Sequence, residues 1–210
     1  MILDPAIAEY VTALEPEADP VLAEMRARGD RERIPIVEAP TGGLLEVLAA
    51  CTGALRAVEV GTAIGVSTLH LARGGAHVTS FEVDPARHAA ARDYLARAGL
   101  ADRVDLRLQD ATEGLAELER GGFDLGFIDG PKAGYAGYLD QVVELLRPGG
   151  LLLVDNVLMS GATVTQQPTG NWSEEHIRNM RAFNERLSRR DDLRATFATV
   201  GDGVALAVRQ

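Results

Sequence analysis

The sequence has few cysteines, few basic residues and no long apolar run. Cys51 is the only cysteine, so an intrachain disulfide is excluded, and its apolar surroundings predict a small core residue. A reducing, cytoplasmic location is therefore expected. No apolar run approaches the roughly 20 residues of a membrane-spanning helix, and no lysine or arginine precedes Arg26. We therefore predict neither a membrane anchor nor a signal peptide.

Basic residues are outnumbered by acidic ones. Lys and Arg total 21 against 31 Asp and Glu, which gives a net charge of −10 at pH 7. No basic cluster is long enough to contact a phosphate backbone, so nucleic acid is not expected as a partner. A hydrophobic content of 46% over 210 residues suffices for one complete core. We predict a single domain over residues 1–210, with residues 1–40 as an N-terminal helical extension.

The stretch Phe123–Asn156 organises the rest of the chain. It contains two apolar segments, Phe123–Ile128 and Gly150–Val154, each followed by a carboxylate. A helical stretch closed by Arg147–Gly150 separates them. This pattern is typical of two buried parallel strands joined by a helix and predicts an α/β doubly wound sheet.

Polar side chains follow both of these strands. Asp129 follows the first strand and Asp155-Asn156 follows the second. Because parallel strands end at the same sheet edge, these side chains should face one crevice, with Lys132 close enough to share it. Two carboxylates, a carboxamide and an ammonium predict a site for a hard cation with an acid–base candidate beside it.

A glycine-containing turn follows an earlier predicted strand, Ala57–Val60. Gly61 and Gly65 precede the helix that begins at Ser67, and glycines there allow close approach of a ligand. The G-x-x-x-G spacing lacks the third glycine of the dinucleotide fingerprint. Glu59, expected at the strand end, would repel a pyrophosphate and suits a cationic or hydroxyl-bearing ligand.

Acids also end the next two predicted strands. Glu82 follows His77–Phe81, about 20 residues after the glycine turn, where an acid accepts hydrogen bonds from both ribose hydroxyls. Asp110 follows Arg103–Leu108, and it can either cap the next helix or accept from an adenine amino group. The placement favours an adenosine-type ligand. Four successive predicted strands now end in an acid, and helix capping alone would explain one or two of these acids more easily than all four.

The remaining segments are predicted to frame this centre. Helices are expected over Pro5–Leu14, over Pro20–Arg28 with Asp19 as cap, and over Leu44–Ala50, with Arg26–Glu38 as a connector. Thr41 and Gly42 lie where a segment could fold over a cofactor. Past the second apolar segment, the loop Val157–Trp172 is expected to expose Met159 and Trp172 and to form part of a substrate wall. A helix over Ser173–Ser188 and a hairpin of Leu193–Val200 with Val204–Arg209 follow, and the hairpin adds an antiparallel strand.

Several motifs in this order resemble one family. They are the acid-Gly-x-x-x-Gly-x-Ser loop, FxxxFIDxxKxxYxxY, LLRPGGLLLVDN and the closing GDGxxLAVR. Their order from about Thr41 to Arg209 resembles the cation-dependent class I O-methyltransferases, which include the catechol and caffeoyl-CoA O-methyltransferases. The resemblance implies a seven-stranded Rossmann-like sheet with the last strand reversed. It also implies S-adenosylmethionine (SAM) as methyl donor and a homodimer.

The resemblance assigns roles to individual residues. It implies that the methyl donor is bound by Glu59, Gly61, Thr62, Gly65, Ser67, Glu82, Asp110, Ala111 and Asp129. It implies that Asp129, Asp155 and Asn156 bind a metal ion, expected to be Mg²⁺ with Ca²⁺ or Mn²⁺ as alternatives. Lys132 is the general-base candidate. The implied acceptor is an ortho-dihydroxy aromatic or similar vicinal diol.

Other interpretations stay open. Gly130-Pro131 stands where the animal catechol enzymes have a bulky aromatic residue, so the acceptor is not fixed. Tyr135 and Tyr138 are interpreted as packing residues, and the four histidines receive no role. A nicotinamide-dependent oxidoreductase would share the first strand and Glu82, and a non-catalytic SAM-binding protein would share the sheet.

Overall fold

A computed structural model of the chain describes residues 5–14, 19–170 and 172–210. Residues 1–4 and 15–18 of the predicted extension, and residue 171 of the predicted loop, lie outside the described part. Strands of one sheet run over β1 Arg56–Val60, β2 His77–Glu82, β3 Val104–Leu108, β4 Phe123–Ile128, β5 Leu146–Val154, β6 Leu193–Ala198 and β7 Val204–Arg209. The helices are α1 Pro5–Ala13, α2 Pro20–Glu32, α3 Ala39–Thr52, α4 Val66–Arg73, α5 Pro85–Arg97, α6 Ala111–Ala116, α7 Tyr135–Leu145, α8 Ala162–Thr165 and α9 Glu174–Ser188.

The seven strands form a mixed sheet in the order β3-β2-β1-β4-β5-β7-β6. The pairs from β3 to β5 are parallel, whereas β7 runs antiparallel to both β5 and β6. This confirms the predicted Rossmann-like sheet with its last strand reversed. Chain order reverses between β1 and β4, and such a switch point leaves a crevice outside the carboxyl ends of the strands.

Both faces of the central strands are buried. Along β4, Phe127 lies in one hydrophobic cluster with α3, α4 and α5, whereas Ile128 lies in another with α7 and α9. Successive side chains of a strand point to opposite faces, so a strand covered by helices on both sides is apolar throughout. This explains the continuous apolar runs of the sequence.

Two predicted connections are wrong. Helix α2 continues to Glu32 and α3 already begins at Ala39, so Thr41 and Gly42 lie in a first helical turn rather than in a loop. The reason is that Pro40 is compatible with the first positions of a helix. The residues Arg147–Gly150 lie within β5, because the preceding helix has already ended at Leu145.

Two burial predictions are also wrong. Cys51 is exposed near the end of α3 rather than buried in the core. Met159 has 0% exposure, since it packs into the cluster formed with α7 and α9.

Within the described residues, no helix has both the length and the apolar character required to cross a bilayer.

Candidate functional site

A cavity of about 570 Å³ lies at the carboxyl ends of the central strands. Most of the residues predicted for donor and metal binding line it: Gly61, Thr62, Ser67, Glu82, Asp110, Ala111, Asp129, Lys132, Asp155 and Asn156. Glu59 and Gly65 are not among its lining residues. Trp172, predicted to form a substrate wall, does line it.

The two glycines of the first turn have different roles. Gly61 has a φ of +99°, and a Cβ there would lie 2.5 Å from the backbone oxygen of Asp129. Glycine thus permits the end of β1 to touch the end of β4. Gly65 has a φ of +91°, and its missing Cβ would lie 3.2 Å from Cβ of Ala91. Its small size therefore serves the packing of α4 against α5.

Glu59 lies beneath the cavity rather than at a strand end. Its side chain is fully buried, and Oε2 accepts hydrogen bonds from Thr68 Oγ1 at 2.5 Å and from Ser80 Oγ at 2.6 Å. Its Oε1 has no hydrogen-bond partner among the described residues. Burial raises the pKa of this carboxyl above its ordinary value. The predicted contact between Glu59 and the donor remains a prediction.

This burial gives a testable pH dependence for Glu59→Gln. The pKa of Glu59 is higher in the folded state than in the unfolded state, so the protonated carboxyl favours folding. This contribution to stability is complete below the unfolded-state pKa and is lost as pH rises through the folded-state pKa. The wild type is expected to lose about 1.4 kcal/mol per pH unit relative to the Gln variant between those two pKa values. Urea unfolding from pH 4 to 9 measures it, with the exposed substitution Glu185→Gln as control. Parallel curves for all three proteins would contradict this.

Two acids near the predicted adenosine end are fixed by backbone donors. Glu82 Oε1 accepts from the N–H groups of Val83 at 2.8 Å and Asp84 at 2.9 Å, and its Oε2 accepts from Ala63 N–H at 2.8 Å. Asp110 accepts from Thr112 N–H at 2.8 Å as the N-cap of α6. The capping role of Asp110 is thus confirmed. The ligand roles of both acids stay predictions.

Asp129 and Asp155 leave adjacent strands side by side. Asp129 N–H donates to Val60 O at 2.9 Å, and Asp155 N–H donates to Ile128 O at 3.0 Å. Both residues line the same cavity, and the charge of Asp129 acts on the Asp155 carboxyl, so the two carboxyl groups lie at the same edge of the sheet. Burial and the neighbouring Asp129 charge raise the pKa of Asp155 well above its ordinary value. Burial also raises the pKa of Asp129, against the lowering effect of Lys132.

Three side chains at this end of the cavity have oxygen atoms that could bind a cation. Asp129 Oδ1 accepts from Lys132 and Asp155 Oδ1 accepts from Asn156 N–H at 2.8 Å. Neither Oδ2 atom, nor the side chain of Asn156, has a hydrogen-bond partner within the described part of the chain. No group of three His, Cys, Asp or Glu side chains suited to a metal occurs among the described residues. A cation here would therefore need the amide oxygen of Asn156 as its third protein ligand.

Lys132 is held by three acceptors. Its Nζ donates to Asp129 Oδ1 at 3.0 Å, Tyr135 Oη at 2.7 Å and Gly130 O at 3.3 Å. The Tyr135 hydroxyl in turn donates to the Asp155 carbonyl at 3.2 Å. Burial raises the pKa of Tyr135 well above its ordinary value, so the hydroxyl keeps the proton that it donates.

Sequence reasoning missed the hydroxyl of Tyr135. The packing interpretation is confirmed, since Tyr135 and Tyr138 have 2% and 5% exposure. However, the residues Lys132–Gly134 form a 3₁₀ turn, which has three residues per turn and therefore brings positions 132 and 135 together. The K-x-x-Y spacing was the available signal.

Two further acids, Glu38 and Asp202, line the same cavity. Asp202 lies in the turn between β6 and β7, where its Oδ1 accepts from Ser160 Oγ at 2.5 Å. Glu38 immediately precedes α3, but its side chain makes no capping hydrogen bond. Neither acid follows a central strand, so the pattern of acids at strand ends does not predict them.

Comparisons with known proteins identify the family of the chain. A family model described as O-methyltransferase matches residues 13–210. The chain is 38% identical over 153 residues to a catechol O-methyltransferase of Mycobacterium tuberculosis, covering 70% of each chain. It is 32% identical over 204 residues to a catechol O-methyltransferase of Niastella koreensis, covering 91% of this chain and 90% of the relative.

A solved structure extends the similarity to the fold. The O-methyltransferase TomG from Streptomyces achromogenes, involved in tomaymycin synthesis and solved in complex with SAM, superposes with a TM-score of 0.83 at 30% identity. The match covers 98% of this chain and 96% of that one.

Proposed function

This chain belongs to the O-methyltransferase family, the SAM-dependent class I enzymes, and from that premise we propose a cation-dependent catechol O-methyltransferase activity. In this proposal the methyl group of SAM moves to one hydroxyl of a small vicinal dihydroxy aromatic. The observation that carries it is the convergence of Asp129, Asp155 and Asn156 beside Lys132 in the cavity that Glu82 also lines. The relatives named catechol O-methyltransferase support the choice of acceptor.

The donor is proposed to lie along the cavity from the glycine turn to α6. Gly61 and Thr62 would face its methionine end, together with Ser67. Glu82, whose carboxylate three backbone N–H groups already orient, would accept from the ribose hydroxyls. Asp110 and Ala111 at the start of α6 would flank the adenine. Glu59 and Gly65 would support this turn from outside the cavity.

The residues at the other end fit a hard divalent cation. Two carboxylates and one carboxamide supply oxygen ligands, which Mg²⁺ and Ca²⁺ prefer, and Mn²⁺ accepts the same set. Burial, together with the charge of Asp129, raises the pKa of Asp155, and a bound cation would favour the charged form of both carboxyls. When bound, the cation would supply Lewis acidity that lowers the pKa of an acceptor hydroxyl.

Lys132 is proposed to take the proton of the attacking hydroxyl. Its Nζ lies beside Asp129 and is oriented by Tyr135 Oη. In the transfer, a bond forms between the acceptor oxygen and the methyl carbon while the bond from that carbon to sulfur breaks. The hydroxyl proton would go to Lys132 Nζ after that amine has released a proton to solvent and given up one of its three hydrogen bonds. Since the sulfonium needs no further activation, the other residues act mainly by positioning the two reactants.

The test is transfer of a tritiated methyl group from SAM to a panel of catechols and monophenols. Labelled product is expected with catechols alone, with a loss of more than about 100-fold in the presence of a chelator and recovery on adding Mg²⁺. Transfer that is insensitive to the chelator would remove the cation from the mechanism. Binding of SAM by calorimetry without transfer to any acceptor would favour the non-catalytic alternative.

The expected homodimer and cytoplasmic location remain predictions.

A further inference from the structure

The residues that follow Asp155 have an uncommon backbone conformation. Asn156, Met159 and Ser160 have φ angles of +61°, +49° and +52°, in the left-handed region that residues other than glycine seldom adopt. Asparagine tolerates this region, but three such residues within five positions need support from the surrounding structure. Contacts with other elements must therefore hold this segment, which begins at a predicted metal ligand.

The side chain of Asn156 is not held by hydrogen bonds of its own. It lines the cavity, and its amide has no hydrogen-bond partner within the described part of the chain. Because an asparagine side chain has only two rotatable bonds, the backbone of residues 155–158 sets the direction of this amide. The position of the predicted third metal ligand thus depends on whatever fixes that backbone.

Val157, the next residue, is fixed through both of its backbone polar groups. Its N–H donates to Gly203 O at 3.0 Å, and its carbonyl accepts from Asn184 Nδ2 at 2.7 Å. Gly203 lies in the turn between β6 and β7, and a Cβ there would overlap the side chain of Leu158, so the turn packs directly against the segment. The segment is held from this turn on one side and from α9, which carries Asn184, on the other.

The surroundings of Asn184 indicate that its amide serves this contact. Its Oδ1 is buried and has no hydrogen-bond partner among the described residues. A buried amide oxygen without a partner costs free energy, and a leucine of similar size would avoid that cost. Within the same described residues, the side chain makes one hydrogen bond, from Nδ2 to the Val157 carbonyl. The donor is therefore what an asparagine contributes at this position.

We infer that Asn184 positions Asn156 for cation binding by holding the Val157 carbonyl. This inference rests on the proposed function and adds to it a residue that touches neither the ion nor the reactants. Without the contact, the segment would be free to turn, and the amide oxygen of Asn156 would leave the two carboxylates. Groups that orient metal ligands from outside typically change metal affinity by about 10–100-fold when they are removed.

Asn184→Leu tests the inference, because leucine keeps the size of the side chain but cannot donate. We expect the Kd for Mg²⁺, measured by calorimetry in the presence of SAM, to rise by about tenfold or more. The Kd for SAM should change by less than about twofold, since Asn184 does not line the cavity. Without Mg²⁺, the midpoint of thermal unfolding should shift by less than about 4 °C, because the variant loses one hydrogen bond but also removes the unpartnered oxygen.

The dependence of methyl transfer on Mg²⁺ concentration gives a second reading. At Mg²⁺ concentrations below the wild-type Kd, the rate of Asn184→Leu should be about tenfold lower than that of the wild type. Saturating Mg²⁺ should restore the rate to within about threefold, because the site is weakened and its three ligands are retained. Asn184→Ala, which leaves room for a water at the Val157 carbonyl, should show the same pattern and replaces the leucine variant if that variant does not fold.

Arg181→Met is the matched control. Arg181 lies on the same helix and donates from Nη1 to Thr163 O at 2.5 Å. The control therefore removes a contact of the same kind, between α9 and a backbone carbonyl farther along the same loop. It should keep the Kd for Mg²⁺ within about twofold of the wild-type value.

Two outcomes would overturn the inference while leaving the proposed function intact. One is a loss of stability in Asn184→Leu with an unchanged Kd for Mg²⁺, which would show a purely structural role. The other is an equal rise of that Kd in Arg181→Met, which would show a general loosening of the loop. If the wild type itself binds no Mg²⁺, the proposed cation dependence fails and the inference fails with it.

Discussion

Replacement of Lys132 by methionine is expected to lower kcat by about 10²–10⁴-fold, the range for loss of a general base, with the Kd for SAM changed less than about twofold. Methionine keeps most of the length and apolar stem of the side chain but cannot accept a proton. The affected contacts are those of Nζ with Asp129, Gly130 and Tyr135, all at the acceptor end of the cavity. Single-turnover assays measure the rate of methyl transfer, and calorimetry measures the Kd for SAM.

Tyr135→Phe provides the matched control for Lys132. It removes the hydroxyl that accepts from Nζ but keeps the ring, which packs edge-on against Phe183 at a centroid distance of 5.5 Å. A smaller loss in kcat, again without loss of SAM affinity, is expected if Tyr135 orients the amine. Equal losses of turnover and SAM affinity in the Lys132 variant would instead indicate a structural role.

The sequence offers an unusual means of observing this amine. Lys132 is the only lysine of the chain. Lysine isotope-labelled at Nζ and supplied during expression therefore places the label on one side chain, and its NMR signal reports on one environment. A change of that signal in Tyr135→Phe is expected because the labelled nitrogen loses a 2.7 Å contact. An unchanged signal would show that the contact does not persist in solution.

The central sheet could be predicted because its signals are local. A strand buried on both faces must be apolar throughout, as in Phe123–Ile128, and the acids that follow β4 and β5 must then meet at one edge. The prediction that placed Glu59 at a strand end is wrong for an equally local reason. It is the penultimate residue of β1, so side-chain alternation points it between the sheet and α4 rather than beyond the strand end.

The acids Glu38 and Asp202, which also line the cavity, could not be predicted in this way. Glu38 and Asp202 come from distant parts of the chain, and Gly201 packs against Thr41 close to Glu38. Nothing in their local sequences indicates that contact. The hydrogen bond from Lys132 to Tyr135 likewise depends on the 3₁₀ geometry of the intervening turn.

Asp155→Asn is expected to remove the response of the protein to Mg²⁺. In the wild type, a cation present at about 100 times its Kd should stabilise the fold by about 2.7 kcal/mol, because it binds the folded state alone. Asparagine keeps the oxygen that accepts from Asn156 N–H, so the loop geometry is retained while one of the two ligand charges is lost. Thermal unfolding with and without Mg²⁺ measures the difference, with Asp191→Asn as control.

The same substitution separates a ligand role from a purely structural one. Asp155 has 3% exposure, and burial together with Asp129 disfavours its charge, so without the cation the Asn variant should be at least as stable as the wild type. Methyl transfer at a fixed Mg²⁺ concentration should nevertheless fall by at least about 100-fold, since a catalytic cation contributes several kcal/mol. A variant that is destabilised without Mg²⁺, yet keeps its Mg²⁺-induced stabilisation, would show that Asp155 supports the sheet edge and does not bind the ion.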